Sequence, residues 1–149
     1  MEESNQQIIN ETDAEIDQRR VQKLITHILE SEGLTPETIL NIVFTDNAYI
    51  HELNKRFLDR DRPTDVLSFN VHTEYLPSEL QILGDVYISV EKALEQAENF
   101  QVQLQDELER LVTHGILHLI GYEHDVPEQQ EKMETLTEKY LAFSRQGKL

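Results

Sequence analysis

The sequence predicts an α+β domain in which helices cover a small mixed β-sheet. Short segments rich in β-branched residues indicate strands at 38–44, 64–71 and 82–90. Apolar residues at helical spacing lie before, between and after these segments, an order typical of α+β folds. The 149 residues contain no internal repeat and no Pro/Gly/Ser-rich linker. We therefore expect residues 1–149 to form a single domain.

The N-terminal region is expected to contain the first helix. The first dozen residues are either a short strand or a loose end. The segment TDAE, Thr12 to Glu15, has the spacing of a capping box, in which side chains satisfy the first N–H groups of a helix. Gly33 is a natural stop for this helix. The apolar residues at helical spacing are Ile16, Val21, Leu24, Ile25 and Ile28.

Shorter helices are predicted after the strands at 38–44 and 82–90. Asp46 is expected to cap the first of these, and Pro63 is expected to break it. Its apolar positions are Tyr49, Ile50, Leu53 and Phe57. The apolar positions of the other helix are Val90, Ala93, Leu94 and Ala97.

The C-terminal third is predicted to form two longer helices. The first should end at Gly121, and Pro127 sits where the first turn of the second would start. The apolar stripe of the first consists of Leu104, Leu108, Leu111, Val112 and Leu119. The inner face of the second consists of Met133, Leu136 and Tyr140.

The composition excludes several classes of protein. There is no cysteine, which excludes disulfides and thiolate metal sites. The net charge of −16 repels nucleic acid and anionic membranes, so RNA binding would need a local basic patch. No apolar run approaches the roughly 18 residues that a membrane span needs, and the acidic N-terminus is unlike a secretory signal. We expect a cytoplasmic protein that does not act at a membrane.

One basic patch is present in the sequence. Lys55, Arg56, Arg60 and Arg62 place four of the 13 basic residues within eight positions. The alternative is a solvated loop in which Asp59 and Asp61 pair with these cations.

Three of the six histidines lie within eleven positions, in THGILHLIGYEHD at 113–125. His114 and His118 are four residues apart and therefore point the same way from a helix. Gly121 can reverse the chain and bring His124 beside them. Three neutral imidazoles that leave one coordination position open are typical of a catalytic zinc-type site. His27, His51 and His72 are interpreted instead as partly buried polar residues.

The histidine spacing matches the metzincin protease pattern H-E-x-x-H-x-x-G-x-x-H, except that Gly115 stands in place of the glutamate. That glutamate is the general base of peptide hydrolysis. The sequence therefore keeps the ligand spacing and lacks the peptidase base.

The segment HGILHLIGYEHD resembles the signature of the YbeY family, bacterial metal-dependent endoribonucleases of ribosomal RNA maturation. DRPTDVLSF (61–69) and LGDVYIS (83–89) agree with the family in order and separation, and the resemblance covers roughly residues 39–140. It implies a metzincin-like metal-binding helix and turn, with one zinc ion on His114, His118 and His124. It also implies a single-strand-specific endoribonuclease of 3′-end maturation of small-subunit (16S) rRNA and late-stage ribosome quality control.

The sequence departs from the family pattern at two positions. Glu123 stands where the family usually has Asp, a change of one methylene. Leu58 stands where family members commonly have an arginine that is held to be important for activity. Arg56 or Arg60 would have to reach the same space.

The hypothesis for the reaction is phosphodiester cleavage with the ion as Lewis acid, and as a source of bound hydroxide. Arg60 or Arg56 would neutralise the scissile phosphate, and Lys55 and Arg62 would steer the RNA backbone. Asp85 is a candidate catalytic residue that would orient a ligand imidazole, although a strand-end role fits it as well. Phe69 and Tyr122 are either base-stacking or core residues. Nickel or another divalent metal also suits three histidines.

Other functions stay open at this point. A non-catalytic ribosome-assembly factor with a structural metal is the main alternative, and peptide hydrolysis would need Glu123 or Asp125 as its base. The expected partners are small-subunit rRNA, the ribosome, and a ribosomal protein or GTPase that delivers this acidic chain.

Overall fold

The computed structural model describes residues 5–59, 64–70, 81–122 and 127–146. Within these ranges the chain forms four strands and five helices. The strands are β1 (Gln6–Asn10), β2 (Ile39–Thr45), β3 (Val66–Asn70) and β4 (Ile82–Ser89). The helices are α1 (Gln18–Ser31), α2 (Asn47–Leu58), α3 (Val90–Phe100), α4 (Leu104–Ile120) and α5 (Pro127–Gln146).

The strands form one mixed sheet in the order β1-β2-β4-β3. β1, β2 and β4 are parallel, and β3 pairs antiparallel with β4 at the edge. The predicted α+β class with a small mixed sheet is confirmed. The first residues include a strand, because Ile8 pairs with Ile42 on β2.

The two faces of the sheet carry different helices. Val86 and Ile88 of β4 belong to the main core with α1, α4 and α5. Successive strand residues point to opposite faces, so Tyr87 points to the other face, where it packs near Ile50 and Leu53 of α2. α4 and α2 therefore lie on opposite sides of the sheet.

α1 begins later than the capping-box spacing predicts. The cap is Asp17, whose side chain accepts a hydrogen bond from the Arg20 N–H. Thr12 instead forms a local turn, in which its N–H and hydroxyl both donate to Asn10 Oδ1. The capping-box prediction is wrong because a short polar side chain near the end of β1 offers Thr12 a closer partner.

α2 begins as predicted, since the Asp46 side chain accepts from the Tyr49 N–H at 2.8 Å. It ends at Leu58, before the predicted break, with Asp59 in the left-handed conformation at φ 54°. Pro63 lies outside the described residues. Of the predicted apolar positions, Tyr49 and Phe57 are exposed, at 41% and 61%. Both rings still contact aromatic neighbours on the sheet, Tyr49 with Tyr87 of β4 and Phe57 with Phe69 of β3.

α4 ends at Gly121 as predicted and is held by a buried polar network. Glu109 is only 1% exposed and accepts hydrogen bonds from Arg20 of α1, Gln105 of α4 and Ser144 of α5. A buried carboxylate that is paired this way is costly to disturb. The network therefore fixes α4 relative to α1 and α5. Among the described residues, no helix is long and apolar enough to cross a membrane.

Candidate metal centre

His114 and His118 lie on successive turns at the C-terminal end of α4. Residues four apart lie on one face of a helix, with a rise of about 6 Å along its axis. Thr113 and Gly115 beside His114 are buried, whereas His114 is partly exposed and His118 is exposed. Both imidazoles are thus on one face of α4 and reachable from solvent.

Gly121 ends α4 with φ +129°, a backbone conformation that residues with a side chain rarely adopt. Its N–H donates to the carbonyls of Leu117 and His118. A Cβ at this position would meet nothing within 4 Å. Glycine is required here by its backbone conformation, as the sequence indicates. The third predicted ligand, His124, lies outside the described residues, as does Glu123. The part of the chain that the structure describes contains no group of three His, Asp or Glu residues able to hold a metal ion.

The two described histidines fit a zinc-type ion. Imidazole is a common zinc ligand, and a catalytic site takes three protein ligands and leaves one position open. His114 and His118 supply two such donors from one rigid helix. The ligand set His114, His118 and His124 remains a prediction.

Gly115 packs against the sheet beneath the histidines. A Cβ at this position would lie 2.5 Å from Val86 Cγ1 and 3.2 Å from Ser68 Oγ. The Ser68 hydroxyl also donates to the Gly115 carbonyl at 3.2 Å. The glutamate of the protease pattern would therefore clash with β4.

Tyr122 is anchored by a carboxylate that the sequence does not reveal. Its hydroxyl donates to Glu32 Oε1 at 2.9 Å, and the Tyr140 hydroxyl donates to the other oxygen of Glu32. Burial, followed by the bond to Glu32, raises the pKa of both phenols above the ordinary value, so both remain donors. Tyr122 thus has a structural role, two positions before His124 in the chain. The partner lies 90 residues away in sequence, so no local signal could have identified it.

Asp85 does not lie beside the histidines. It follows Gly84 on β4, and its side chain accepts a hydrogen bond from Asn41 of β2 at 2.9 Å. Because Val86 faces α4, the neighbouring Asp85 faces the opposite side of the sheet. This position does not support the predicted role of Asp85 in orienting a ligand imidazole. The sequence alone could not show which face of the sheet Asp85 occupies.

Two residues of the basic patch are described, Lys55 and Arg56 in the last turn of α2. Arg56 pairs with Glu52 at 3.1 Å, and both side chains are mostly exposed. Asp59, a predicted pairing partner, forms the C-cap of α2. Arg60, Arg62 and Asp61 lie outside the described residues.

His114 also lines a cleft of about 560 Å³ between α4 and α5. The charged residues of the cleft are Asp106, Glu107, Glu134, Glu138, Arg110 and Arg145. Four acidic side chains thus face two basic ones, and Arg110 is held by both oxygens of Glu107. An RNA backbone is therefore not expected to follow this cleft.

The other two described histidines, His27 and His51, are partly buried, as predicted. His27 stacks on Phe143 with ring centroids 3.6 Å apart and meets Tyr140 edge-on. Burial, with Lys139 as a second cause, lowers the pKa of His27. His51 is partly buried on α2. His72 lies outside the described residues.

Comparison with known proteins identifies a family. The family profile described as "Endoribonuclease YbeY" matches residues 5–145. The "Endoribonuclease YbeY" of Syntrophomonas wolfei is 41% identical over 115 residues, covering 72% of this chain and 74% of that protein. The protein of the same name from Thermobifida fusca is 37% identical over 146 residues and 94% of each chain.

A solved structure shares the fold. The solution structure of TM1509 from Thermotoga maritima is similar to this chain with a TM-score of 0.63 and 27% sequence identity. The similarity covers 95% of this chain and 93% of TM1509. The mixed sheet with five helices is therefore the architecture of an experimentally determined relative.

Proposed function

The chain belongs to the endoribonuclease YbeY family, and from this premise we propose that it cleaves single-stranded RNA with the help of a bound metal ion. The name of its relatives agrees with the enzyme class expected from the sequence, a hydrolase of RNA phosphodiester bonds. We propose more specifically that it acts in 3′-end maturation of small-subunit (16S) rRNA and in late-stage ribosome quality control. One structural observation carries the proposal. Two solvent-accessible imidazoles share one face of α4, while the residue between them, Gly115, leaves no room for a peptidase carboxylate.

The proposed ligands are His114, His118 and His124, with zinc as the expected ion and nickel or another divalent metal as alternatives. A bound ion of this kind would stabilise negative charge on a phosphate oxygen. The chain supplies rigidity. α4 is fixed by the buried Glu109 network, and Glu32 holds Tyr122 next to the segment that carries His124.

Basic residues near the end of α2 are proposed to bind the RNA backbone. Lys55 and Arg56 are exposed on the last turn of α2, and Arg60 and Arg62 follow in the sequence. Within the described part of the chain, Arg56 forms an exposed pair with Glu52, and such a pair contributes about 0–1 kcal/mol. It can therefore exchange Glu52 for a phosphate at little cost. Arg56 or Arg60 is proposed to replace the arginine that is missing at Leu58.

The strongly acidic charge suggests assistance from a partner. A net charge of −16 opposes association with ribosomal RNA. We propose that a ribosomal protein or a GTPase brings the enzyme to the ribosome. Work on ribosomes implies a cytoplasmic location.

A non-catalytic ribosome-assembly factor is the second candidate, and Leu58 is the observation that favours it. The family arginine is absent from the end of α2, so a chain with a structural metal could bind RNA without cutting it. The proposed set of three histidine ligands favours the enzyme, because it leaves a fourth coordination position open, whereas structural zinc sites are closed.

The test is cleavage of an end-labelled RNA that carries the 3′ region of small-subunit rRNA. We expect internal cuts in its single-stranded segments, abolished by a chelator, restored by added zinc and absent from His114→Ala. A duplex of the same sequence should stay intact. Intact single-stranded RNA bound by folded, metal-loaded protein would instead support the assembly factor.

A further inference from the structure

Four aromatic rings form a row on the α2 side of the sheet, which we name the α2 aromatic row: Tyr49, Tyr87, Phe69 and Phe57. The centroids of consecutive rings are 6.1, 5.9 and 5.8 Å apart. The contacts of Phe69 with Tyr87 and with Phe57 are edge-to-face. Such contacts stabilise one ring arrangement, so the row is a preformed surface.

Phe57 lies at the open end of this row. It continues the apolar face of α2 that buries Ile50 and Leu53, yet 61% of its surface is exposed. Its ring meets Phe69 of the edge strand β3 edge-to-face. An isolated exposed apolar residue needs no explanation. Phe57 differs because it extends a row of rings.

Two cations lie close to Phe57 in the last turn of the same helix. Lys55 and Arg56 precede it in the last turn of α2 and are both exposed. Arg56 and Glu52 form a solvated pair in which both side chains are more than half exposed. An aromatic ring beside exchangeable cations is the combination that binds single-stranded nucleic acid, through base stacking and phosphate contacts.

We propose that Phe57, supported edge-on by Phe69, stacks on an unpaired base of RNA while Lys55 and Arg56 contact neighbouring phosphates. This inference rests on the proposed function and specifies how its substrate is held. Only unstacked bases can occupy such a surface, which would select single strands over duplexes. The net charge of −16 opposes RNA and a second copy of the chain alike, so RNA is preferred as the occupant because cations follow the ring's own helix, at Lys55 and Arg56.

The α2 aromatic row and the metal-binding helix α4 contact opposite faces of the edge strand β3. Phe69 and Ser68 are neighbours on β3 and point to opposite faces of the sheet. Phe69 contacts Phe57, whereas Ser68 donates to the carbonyl of Gly115, next to His114. RNA stacked on Phe57 would therefore need to cross only the edge strand to reach α4.

A tryptophan reporter tests the stacking directly, because the chain contains no tryptophan. Phe57→Trp places a single indole on the row. Phe143→Trp is the control, since Phe143 on α5 is also exposed, at 43%, and stacks on His27 outside the cleft that His114 lines. The ligand is a single-stranded 2′-O-methyl oligonucleotide, checked on a gel to be intact after the titration, and the protein is zinc-loaded and full length.

We expect the oligonucleotide to quench Phe57→Trp and leave Phe143→Trp unchanged. An abasic strand of the same length should not quench either variant. Equal quenching of the two variants, or quenching of Phe57→Trp by the abasic strand, would overturn the inference. So would quenching that grows with protein concentration in the absence of RNA, which would indicate pairing of two copies.

Affinities provide a second, independent readout. Phe57→Ala should weaken binding of the base-containing strand about tenfold and binding of the abasic strand less than about twofold. Lys55→Ala should lower the slope of log K against log salt by about 0.7, the value for one phosphate on a single strand. Equal loss on both strands would show a backbone or folding effect and overturn the stacking.

These results are separable from those of the cleavage assay. RNA cutting by a protein whose Phe57→Ala variant binds like the parent would reject the stacking and leave the proposed function intact. Base-dependent quenching without any RNA cutting would support the stacking and reject the proposed function.

Discussion

Gly115 of α4 packs directly on Val86 of β4, so closely that a Cβ atom on Gly115 would lie 2.5 Å from Val86 Cγ1. This contact explains the residue that most clearly separates the chain from the metzincin proteases. The helix approaches the sheet where those enzymes carry a glutamate. Packing at this point therefore excludes the peptidase base while the histidines on either side keep their spacing.

Gly115→Ala is expected to destabilise the fold despite the higher helix propensity of alanine. The propensity gain is about 1 kcal/mol, and overpacking a tight contact costs about 1–3 kcal/mol. In a Val86→Ala background the clash with Cγ1 disappears, and Gly115→Ala should become neutral or stabilising. Chemical denaturation of the four proteins in this cycle measures the free energies of unfolding. Additive effects would show that the two residues do not compete for space.

Tyr122→Phe is expected to lower zinc affinity about tenfold, the loss typical of a group that orients metal ligands. It removes only the hydroxyl that donates to Glu32. Glu32→Gln is a matched partner, because it keeps the shape of the side chain and removes its charge. Competition with a chromophoric chelator measures the affinity. Unchanged zinc affinity in both variants would show that the hydrogen bond between Tyr122 and Glu32 does not influence the metal centre.

Tyr140 should make the stability of the fold sensitive to alkaline pH. Burial, then the bond to Glu32, raises its pKa, so the stabilisation is complete below the unfolded pKa of about 10 and is lost as pH rises above it. Between pH 9 and pH 11 the free energy of unfolding should fall about 1 kcal/mol further in the parent than in Tyr140→Phe. Urea denaturation at both pH values measures this difference. An equal fall in the free energy of unfolding of the two proteins would contradict this role of the Tyr140 phenol.

Leu58→Arg is expected to raise RNA cleavage about tenfold, because a guanidinium at the end of α2 can engage a phosphate. Leu58 is 41% exposed in the last position of α2, so the change should alter stability by less than about 0.5 kcal/mol. Leu58→Ala serves as the control for lost apolar surface. Unchanged cleavage rates in Leu58→Arg would indicate that Arg56 or Arg60 already fills the role.

Much of the fold could be predicted because its signals are local. The spacing of apolar residues along α4, the Asp46 cap of α2 and the left-handed glycine at 121 each depend on a few neighbouring residues. The predicted start of α1 is wrong, and here too the signals are local. Two local motifs competed for Thr12, and the sequence does not rank the Asn10 turn above the capping box.

The site was less predictable wherever it depends on contacts between distant segments. The face of the sheet that Asp85 occupies is set by how β4 packs against α4, which the alternation of β4 alone does not reveal. Glu32 approaches Tyr122 only because α1 lies beside the end of α4. The spacing of Phe57 fits the apolar face of α2, yet 61% of its surface is exposed and its ring meets Phe69 on the edge strand, which the spacing alone does not reveal.

Zinc binding by the parent, His118→Ala and His51→Ala shows whether the histidine face of α4 holds the metal ion. His118 lies on the proposed metal-binding face of α4, whereas His51 is a partly buried histidine on α2, across the sheet. Each protein would be titrated with zinc against a competing chelator and checked for native secondary structure. We expect one zinc ion per chain in the parent and in His51→Ala, and an affinity at least about 100-fold weaker in His118→Ala. Equal zinc affinity in all three folded proteins would contradict this expectation.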